Sequence, residues 1–479
     1  MRDTFNRKEF LGMGALASAG LLLPGSPSPA ESGPAPGVTR AGAAADSVQL
    51  ITPDQPEYEA LRQGFNRRIQ RHPKLIAVCQ GPNEIISAVK QARRNNLPVA
   101  VRSGGHSFEG YSGNDDGLVI NLSQMNAVRW VDATTVKIGP GCTLSKMYDA
   151  LLPKHRIISA GSCGGVGVAG LTLGGGYGFF SRKYGLTCDN LTEITLVDGS
   201  GELRSSRSDA ELLWACRGGG NGNFGVVAEL VFKTHPAPAF FQSHRFKARR
   251  LDAARAAQIL ERWFELAGAL SPSCFSAFVL NGKSLTILIT NYEAADAPLT
   301  AALAGLRELT DTATSSGLAI PAKALKNYYG LRTPIYFKNS SAGLYKDFAE
   351  IRGCIGEVLE TVVSTPGLMY QVNTLGGKIA DSDAAAASCF PHRDKRFLSE
   401  VQAYWETPGH EARMIEGSRK ILARFRRHGI TAQYANYPSG EFSDWAQAYY
   451  GQNYPRLQAV KRKYDPDNRF RHPQSVRPQ

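Results

Sequence analysis

The sequence predicts an α+β protein with two lobes, and the prediction depends on how residue patterns change along the chain. Residues 46–238 alternate short helix and strand patterns with tight turns and contain three glycine clusters. Residues 239–430 combine longer helical patterns with strands, and residues 431–479 return to a loop-rich, aromatic composition. Helices and strands that mix without a regular βαβ alternation are typical of the α+β class. We therefore expect one domain in 46–238 and a second in 239–430, followed by a segment, 431–479, of different composition.

The elements of the first domain follow from turn and capping signals. Pro82 stands where proline favours the first turn of a helix, and apolar residues at helical spacing follow it. Residues 198–201 predict a hairpin turn, and Ser208 with Glu211 forms a capping box ahead of a helix. The predicted strands are 99–102, 118–122, 135–138, 194–197, 202–203 and 226–233, and the predicted helices are 82–96, 144–152 and 212–216.

The second domain carries helical patterns at 253–266, 299–309 and 410–428, with strand patterns at 285–289 and 397–405. We expect these elements to form a unit of sheet and helices that supplies one wall of a pocket.

Composition and charge exclude several classes of protein. Of 479 residues, 43% are hydrophobic and 20% are charged, which allows a large core and excludes a disordered chain. The net charge of +13 is scattered, with short basic runs at 424–427 and 461–463, so we expect no nucleic-acid partner. The nine histidines are dispersed and the eight cysteines lack zinc-type spacing, so we expect no metal; disulfide pairing stays open.

Residues 1–30 resemble an export signal. Arg2, Arg7 and Lys8 precede an apolar stretch, 11–23, that is too short for a membrane span of about 20 residues. The run 6–11 resembles a twin-arginine signal, with Lys8 in place of the second arginine. Residues 31–45 are rich in Ala, Gly, Pro and Ser and are expected to be a disordered leader. We expect an exported protein, periplasmic or secreted, without stable membrane insertion; a plain membrane anchor is the alternative.

Residues 165–170 match the dinucleotide fingerprint G-x-G-x-x-G letter for letter. That fingerprint binds a dinucleotide only between a strand and a helix of a βαβ unit. Here residues 161–164 do not read as a strand, and the glycine-rich residues 171–178 are expected not to form a stable helix. The sequence therefore argues against a Rossmann site.

Three glycine clusters lie at 103–107, 161–178 and 218–225. Glycine lets backbone N–H groups approach a ligand without interference from side chains, and such groups suit a diphosphate. Tight turns or bends explain a single cluster equally well. Three clusters in one domain favour one extended cofactor.

Five ordered motifs resemble the berberine bridge enzyme-like branch of the vanillyl-alcohol oxidase superfamily of flavoproteins. They are RSGGHS (102–107), CGGVGV (163–168), GGGYG (174–178), RGGG with NFGVV (217–220 and 223–227), and YANY with YYGQNYPRL (434–437 and 449–457). The resemblance implies a two-lobed PCMH-type FAD-binding domain, 46–238, to which the segment 431–479 returns. It also implies an inserted substrate domain, 239–430, made of an antiparallel sheet with helices.

By the same resemblance, His106 is linked to the 8α-methyl group of FAD and Cys163 to C6 of its ring. An imidazole nitrogen and a thiolate are nucleophiles able to add to an electron-poor flavin. Taken alone, His106 reads as a turn histidine and Cys163 as a buried thiol. The expected cofactor-binding residues are Arg102, Ser103, Gly104, Gly105, His106, Ser107, Gly161, Cys163, Val166, Gly167, Gly170, Gly174, Gly175, Gly176, Tyr177, Gly178, Gly225, Val227, Tyr434 and Asn436.

Val166 stands where the resemblance implies control of oxygen access to the flavin. A valine at that position is associated with oxidases. The expected electron acceptor is therefore molecular oxygen, and the expected product is hydrogen peroxide.

The substrate side of the pocket is expected to include Glu400, Gln402 and Tyr437. Strand alternation places Glu400, Gln402 and Tyr404 on one face, where they could line a pocket floor. Tyr437 resembles the tyrosine base of sugar and alcohol oxidases, and Glu400 resembles a position that holds a catalytic carboxylate in some members. The alternative for Glu400 is a surface carboxylate on an edge strand.

Tyr111, Tyr336 and Lys338 could also border a substrate, although packing explains them as well. In the expected reaction Tyr437 takes the proton of an alcohol while hydride passes to the flavin, with Glu400 or Gln402 tuning that step.

The sequence thus predicts an FAD-dependent oxidase acting on a CH–OH group of a carbohydrate, such as an oligosaccharide, or of a secondary metabolite. A dehydrogenase, or a ring-forming enzyme acting on a C–H or C–N bond, is the alternative within the family. Outside enzymes, a flavin-binding protein without turnover or a glycan-binding module is the alternative.

Overall fold

Three β-sheets and a two-stranded ribbon organise residues 48–330 and 333–479, which the computed structural model describes. The predicted export signal, 1–30, and leader, 31–45, lie outside the described residues. In chain order the strands are β1 (Gln49–Ile51), β2 (Leu75–Val78), β3 (Val99–Arg102), β4 (Leu118–Asn121), β5 (Val128–Trp130), β6 (Thr135–Ile138), β7 (Arg156–Ile157), β8 (Leu191–Val197), β9 (Leu203–Ser205), β10 (Val226–Lys233), β11 (His235–Pro236), β12 (Gln242–Ala248), β13 (Cys274–Asn281), β14 (Ser284–Asn291), β15 (Thr312–Ser315), β16 (Tyr336–Tyr345), β17 (Leu368–Thr374) and β18 (Phe397–Trp405).

The α-helices and short 3-10 turns connect these strands. The α-helices are Tyr58–Arg62, Pro82–Arg94, Leu144–Leu151, Val168–Leu173, Ser181–Tyr184, Ala210–Cys216, Ala253–Ala269, Ala297–Leu309, Pro321–Ala324, Arg352–Ser364, Ser382–Ala386, Glu411–Arg427, Trp445–Tyr450 and Tyr454–Tyr464. The 3-10 turns are Leu152–Lys154, Thr187–Asn190, Leu325–Tyr328, Phe348–Glu350, Gly377–Ala380, Pro408–His410 and Gly451–Asn453. Among the described residues no helix has the length and apolar character needed to cross a bilayer.

The first lobe contains two sheets of different construction. One has the order β1-β2-β4-β3, with β4 parallel to both of its neighbours, and the other is the antiparallel β5-β6-β10-β8-β9. The chain crosses from β2 to β3 through helix Pro82–Arg94, as strands that run in the same direction require. That helix buries its apolar stripe, so the helix predicted from Pro82 is confirmed.

The second lobe is a seven-stranded antiparallel sheet in the order β15-β12-β14-β13-β17-β18-β16. Helices cover one face: the Trp263 indole donates to Ser276 Oγ of β13 at 2.9 Å, and the Phe425 ring lies 5.8 Å from that of Tyr370 in β17. These strands run from Gln242 to Trp405, inside the range predicted for the second domain. The domain boundaries themselves stay predictions.

The expectation that residues 171–178 form no stable helix is wrong for residues 171–173. Val168–Leu173 forms a short α-helix in which the Leu171 N–H donates to Gly167 O at 3.1 Å. Val168, Ala169 and Leu173 are buried in the core, and Thr172 Oγ1 donates to Val168 O at 2.7 Å. Tertiary packing of these apolar side chains outweighs the low helix propensity of the glycine-rich run.

The tail is fastened to the first lobe through a buried charge. Lys461 and Asp465 are both fully buried, and the Lys461 ammonium donates to Asp465 at 2.7 Å, to Asn223 O at 2.7 Å and to Phe470 O at 2.6 Å. The same carboxylate accepts the N–H groups of Arg469 and Phe470. Burial lowers the pKa of Lys461, and these three acceptors hold its charge. One ammonium group thus joins the tail to the glycine cluster at 218–225.

Lys461→Met is expected to reduce the free energy of unfolding by about 3 kcal/mol, because Asp465 would stay buried without its cation. Urea denaturation followed by tryptophan fluorescence measures the change. Lys420→Met is the control, because Lys420 is exposed and pairs loosely with Glu416 at 3.9 Å. Equal midpoints for the two variants would contradict the role given to Lys461.

Candidate active site

A cavity between the lobes is lined by the glycine loops, the second-lobe sheet and the tail. The predicted site residues that line it are Ser103, Gly104, Gly105, His106, Ser107, Gly161, Cys163, Val166, Gly167, Gly170, Tyr177, Gly178, Gly225, Val227, Tyr434, Asn436 and Tyr437. The predicted site residues that do not line it are Arg102, Gly174, Gly175, Gly176, Glu400 and Gln402.

Two glycine loops touch through their backbones at one side of the cavity. A Cβ atom added at Gly167 would lie 2.5 Å from Gly104 N and would overlap the Ser103 hydroxyl. A Cβ atom added at Gly104 would lie 2.8 Å from Gly165 O. Neither position tolerates a side chain, so the loop that carries His106 and the loop that carries Cys163 are held at backbone contact distance.

His106 sits at this junction as a neutral imidazole. Its ring stacks on Phe65 with centroids 4.1 Å apart, and Gly165 packs so closely that an added Cβ would lie 2.8 Å from Nε2. Burial, and then the positive charge of Arg102, lower the pKa of His106 to about 4. Arg102 does not line the cavity. Its guanidinium donates to the carbonyls of Leu61 and Gln63 and so joins the His106 loop to that neighbouring segment.

Cys163 differs from the other cysteines in its exposure. All eight cysteines fall within the described residues and are free thiols; seven are buried, and only Cys163 is partly exposed. Burial raises the pKa of Cys163 to about 11. The backbone N–H groups of Gly165 and Val166 act in the opposite direction, because they favour the thiolate. The adjacent Gly164 N–H donates to Tyr329 O at 2.8 Å, which ties the Cys163 loop to the second lobe.

The glycines at 174–176 serve packing around the cavity. Side chains of Asn436, Phe390 and Thr187 occupy the space that a Cβ atom at each would need. The Gly176 N–H donates to the Tyr434 hydroxyl at 2.9 Å, and Asn436 Nδ2 donates to the same oxygen at 2.9 Å. This turn therefore anchors the tail residues that reach the cavity.

A hydrogen-bonded pair of tyrosines lies in the cavity wall. The hydroxyls of Tyr177 and Tyr437 are 2.7 Å apart, and Asn373 Nδ2 donates to the Tyr177 hydroxyl at 3.1 Å. The Phe108 ring stacks on Tyr437 with centroids 5.2 Å apart. Burial first, and then the negative charge of Glu400, raise the pKa of both tyrosines well above 10.

Glu400 and Gln402 are fully buried in β18, between β16 and β17. The alternative of a surface carboxylate on an edge strand is therefore excluded for Glu400. Gln402 Nε2 donates to Gln371 Oε1 at 3.0 Å. Of the three residues expected on one face of this strand, only Tyr404 lines the cavity, where its hydroxyl accepts from Asn339 Nδ2 at 2.7 Å.

The three residues that could border a substrate mostly serve packing. The Tyr111 hydroxyl donates to Gln474 at 3.2 Å, while the ring lines the cavity. Lys338 is buried in an ion pair with Glu109. The Tyr336 ring lies 4.9 Å from the Arg67 guanidinium.

Several cavity residues were not expected from the sequence. They are Phe65, Phe108, Phe337, Asn339 and Asn373. The alternation of Gln371 and Asn373 inside the apolar run of β17 was a usable signal, since buried polar side chains need partners. The aromatic residues carried no comparable signal.

The chemistry of the lining suits a long cofactor with a reactive end. Three glycine loops present backbone to the cavity, and the neutral imidazole and the partly exposed thiol face it together. Among the described residues no group of three or more His, Cys, Asp or Glu is placed to hold a metal ion.

Comparisons with known proteins agree with these features. The family model for an FAD binding domain matches residues 73–207, and the model described as berberine and berberine like matches 433–477. An uncharacterized FAD-linked oxidoreductase of Bacillus subtilis is 31% identical over 456 residues, covering 90% of this chain and 97% of the relative. A chitooligosaccharide oxidase of Gibberella zeae is 29% identical over 441 residues, covering 86% of this chain and 89% of the relative. The solved structure of an aclacinomycin oxidoreductase has a TM-score of 0.81 at 27% identity, covering 90% of this chain and 100% of that chain.

In protein prepared without flavin, iodoacetamide is expected to modify Cys163 and no other native thiol. The rate is expected to rise about tenfold per pH unit between about pH 7 and 10, because the thiolate is the reactive form. Peptide mass analysis identifies the modified residue, and Cys163→Ser is the control that abolishes labelling. Labelling of a buried cysteine in the folded protein would contradict the described packing.

Proposed function

The chain belongs to the berberine bridge enzyme-like family of FAD-linked oxidoreductases, and from this membership we propose that it is an oxidase. The proposed reaction oxidises a CH–OH group of a carbohydrate or secondary metabolite and reduces oxygen to hydrogen peroxide. The observation that carries the proposal is the Tyr177–Tyr437 hydroxyl pair, 2.7 Å apart, in the same cavity as His106 and Cys163.

The proposal includes attachment of FAD through both His106 and Cys163. A neutral imidazole has a free nitrogen lone pair at physiological pH, and Cys163 is the one accessible thiol among the eight cysteines. The backbone contact between Gly104 and Gly167 keeps the two loops close enough to share one ring system. Bound FAD supplies the acceptor for two electrons.

Tyr437 is the proposed acceptor of the alcohol proton, and Tyr177 is its partner. A phenolate whose conjugate acid has a high pKa is a strong base, and hydrogen bonds to its oxygen stabilise it. Asn373 donates such a bond to Tyr177, which in turn contacts Tyr437. The negative charge of Glu400 strengthens both phenolates as proton acceptors because it favours their protonated forms.

The cavity lining supports a sugar or a flat ring as substrate. Phe108, Phe337 and Tyr404 offer aromatic faces, while Asn339 and Asn373 offer amide groups. Val166 lines the same cavity, at the position that the family resemblance associates with oxygen access. The similarity to a chitooligosaccharide oxidase supports an oligosaccharide as the first choice.

A second candidate is oxidation or ring closure of an aromatic secondary metabolite, by an oxidase or a dehydrogenase. The aromatic wall and the similarity to an aclacinomycin oxidoreductase favour it. A polycyclic glycoside therefore belongs in the substrate screen beside the oligosaccharides.

Flavin is expected to remain on the protein after denaturation and acid precipitation. His106→Ala and Cys163→Ala should each retain it through the remaining link, whereas the double variant should release it. Absorbance of the redissolved protein and its intact mass measure retention. Release from the unaltered protein would contradict covalent attachment and leave FAD binding intact.

Oxidation of chitotetraose or cellobiose is expected to produce hydrogen peroxide, detected with a coupled peroxidase. Tyr437→Phe is expected to slow anaerobic flavin reduction by about 100-fold or more, because the proton acceptor is lost. The unaltered enzyme should reduce faster as pH rises through the alkaline range, since the deprotonated tyrosine pair is the active form. An unchanged rate in Tyr437→Phe would remove Tyr437 from this role, and absence of peroxide with every sugar would favour the second candidate.

A further inference from the structure

Three buried side-chain amides form a continuous hydrogen-bonded chain that ends on the tyrosine pair. Gln402 Nε2 donates to Gln371 Oε1 at 3.0 Å, and Gln371 Nε2 donates to Asn373 Oδ1 at 2.9 Å. Asn373 Nδ2 then donates to the Tyr177 hydroxyl at 3.1 Å, which is 2.7 Å from the Tyr437 hydroxyl. Each side-chain amide therefore donates its N–H to the next residue in this series.

The strand geometry makes this chain possible. Gln371 and Asn373 are two residues apart on β17, so both side chains leave the same face of the sheet. Gln371 stands opposite Glu400 on β18, and Gln402 stands opposite the neighbouring Met369. A single residue of strand slippage would place both β17 amides on the opposite face.

The direction of these hydrogen bonds determines whether Asn373 presents its NH2 group or its oxygen to the Tyr177 hydroxyl. A side-chain amide can present either its oxygen or its NH2 group to a hydroxyl, and the hydrogen bonds that it makes elsewhere select one. Here Asn373 Oδ1 is occupied by Gln371, so its NH2 group faces Tyr177. Gln371 Oε1 is occupied by Gln402 in the same way. Gln371, Asn373 and Gln402 are at most 1% exposed, so bulk water does not compete for these bonds.

We propose that Gln371 and Gln402 are positioning residues for proton transfer: they fix Asn373 as a donor to Tyr177 and so stabilise the deprotonated form of the tyrosine pair. Neither residue lines the cavity, so each acts through Asn373. The proposal rests on the proposed function in so far as it assigns the tyrosine pair as the proton acceptor.

Two groups facing the tyrosine pair oppose this stabilisation. Glu400 on β18 and Tyr434 in the tail each raise the pKa of both tyrosines. The amide chain approaches from β17 and brings partial positive charge without a full cation. Hydrogen bonds polarise one another along such a chain, so the loss of a remote amide is felt at its end.

The test is to titrate Tyr177 directly in the flavin-loaded protein. 3,5-Difluorotyrosine placed at position 177 ionises in a range where the protein is folded, and its 19F resonance reports the ionisation. In Gln371→Glu the new carboxylate accepts from Asn373, which turns the Asn373 oxygen towards Tyr177. We expect the ionisation constant of the labelled residue to fall by about tenfold or more, since a donor to the phenolate is replaced by an acceptor.

A double-variant cycle separates orientation from simple charge repulsion. Gln371→Glu is measured again in the Asn373→Leu background, where no relaying amide remains. We expect less than about half of the original shift there, because only the distant charge still acts. An equal shift in both backgrounds would overturn the proposal, since Gln371 would then act without Asn373.

Two further variants keep the test decisive. Gln371→Met removes the amide without adding charge and is expected to lower the ionisation constant about threefold; no change would overturn the proposal. Asn291→Asp is the matched control, because it places a carboxylate at a buried amide of the same sheet that does not line the cavity. It should leave the titration of position 177 unchanged.

The titration needs no substrate, so it distinguishes the two proposals. The expected shifts without oxidation of any sugar or polycyclic glycoside would contradict the proposed function and leave the amide chain standing. Sugar oxidation without the shifts would overturn the proposal for the amide chain and leave the proposed function standing.

Discussion

The contact between two backbones at Gly104 and Gly167 is the constraint on which the rest of the site depends. It holds the His106 loop and the Cys163 loop closer than any side chain would allow. The second lobe adds to the same arrangement. Tyr329 accepts from Gly164 beside Cys163, and Ile335 donates to the carbonyl of Phe65, whose ring stacks on His106. The second lobe therefore contacts the Cys163 loop directly and the His106 loop through Phe65, whose N–H donates to Gly105 O.

The tyrosine pair sits between two opposed electrostatic influences. Glu400 favours protonated phenols, and the amide chain from Gln402 to Asn373 favours the deprotonated pair. Dipoles held by strand geometry need no reorganisation when charge develops, unlike solvent. The sheet therefore supports the cavity mechanically and also sets the electrostatic field at its wall.

Sequence patterns located the glycine loops, because the identity of a residue such as Gly104 is fixed by what its own backbone contacts. They also identified eight of the eighteen strands in the described part of the chain, but in the second lobe only β14 and β18 were among them. They missed the helix Val168–Leu173, since its stability comes from packing rather than propensity. They also failed to pair Asn373 with Tyr177, because the two residues are 196 positions apart and strand alternation does not say what a face meets. Glu400 and Gln402 were placed on the correct strand, but their burial depends on the neighbouring strands β16 and β17.

The position of the tail has a consequence for how the protein is made in the cell. Asn436, Tyr437 and Gln474 complete the cavity wall, and the Val476 N–H donates to Asn223 in a loop of the first lobe. The ribosome synthesises these residues after the whole second lobe. A nascent chain that already displays His106 and Cys163 has no finished cavity until its final segment has emerged. The cavity wall therefore combines segments that are synthesised early and late, and it is complete only once the chain up to residue 476 is present.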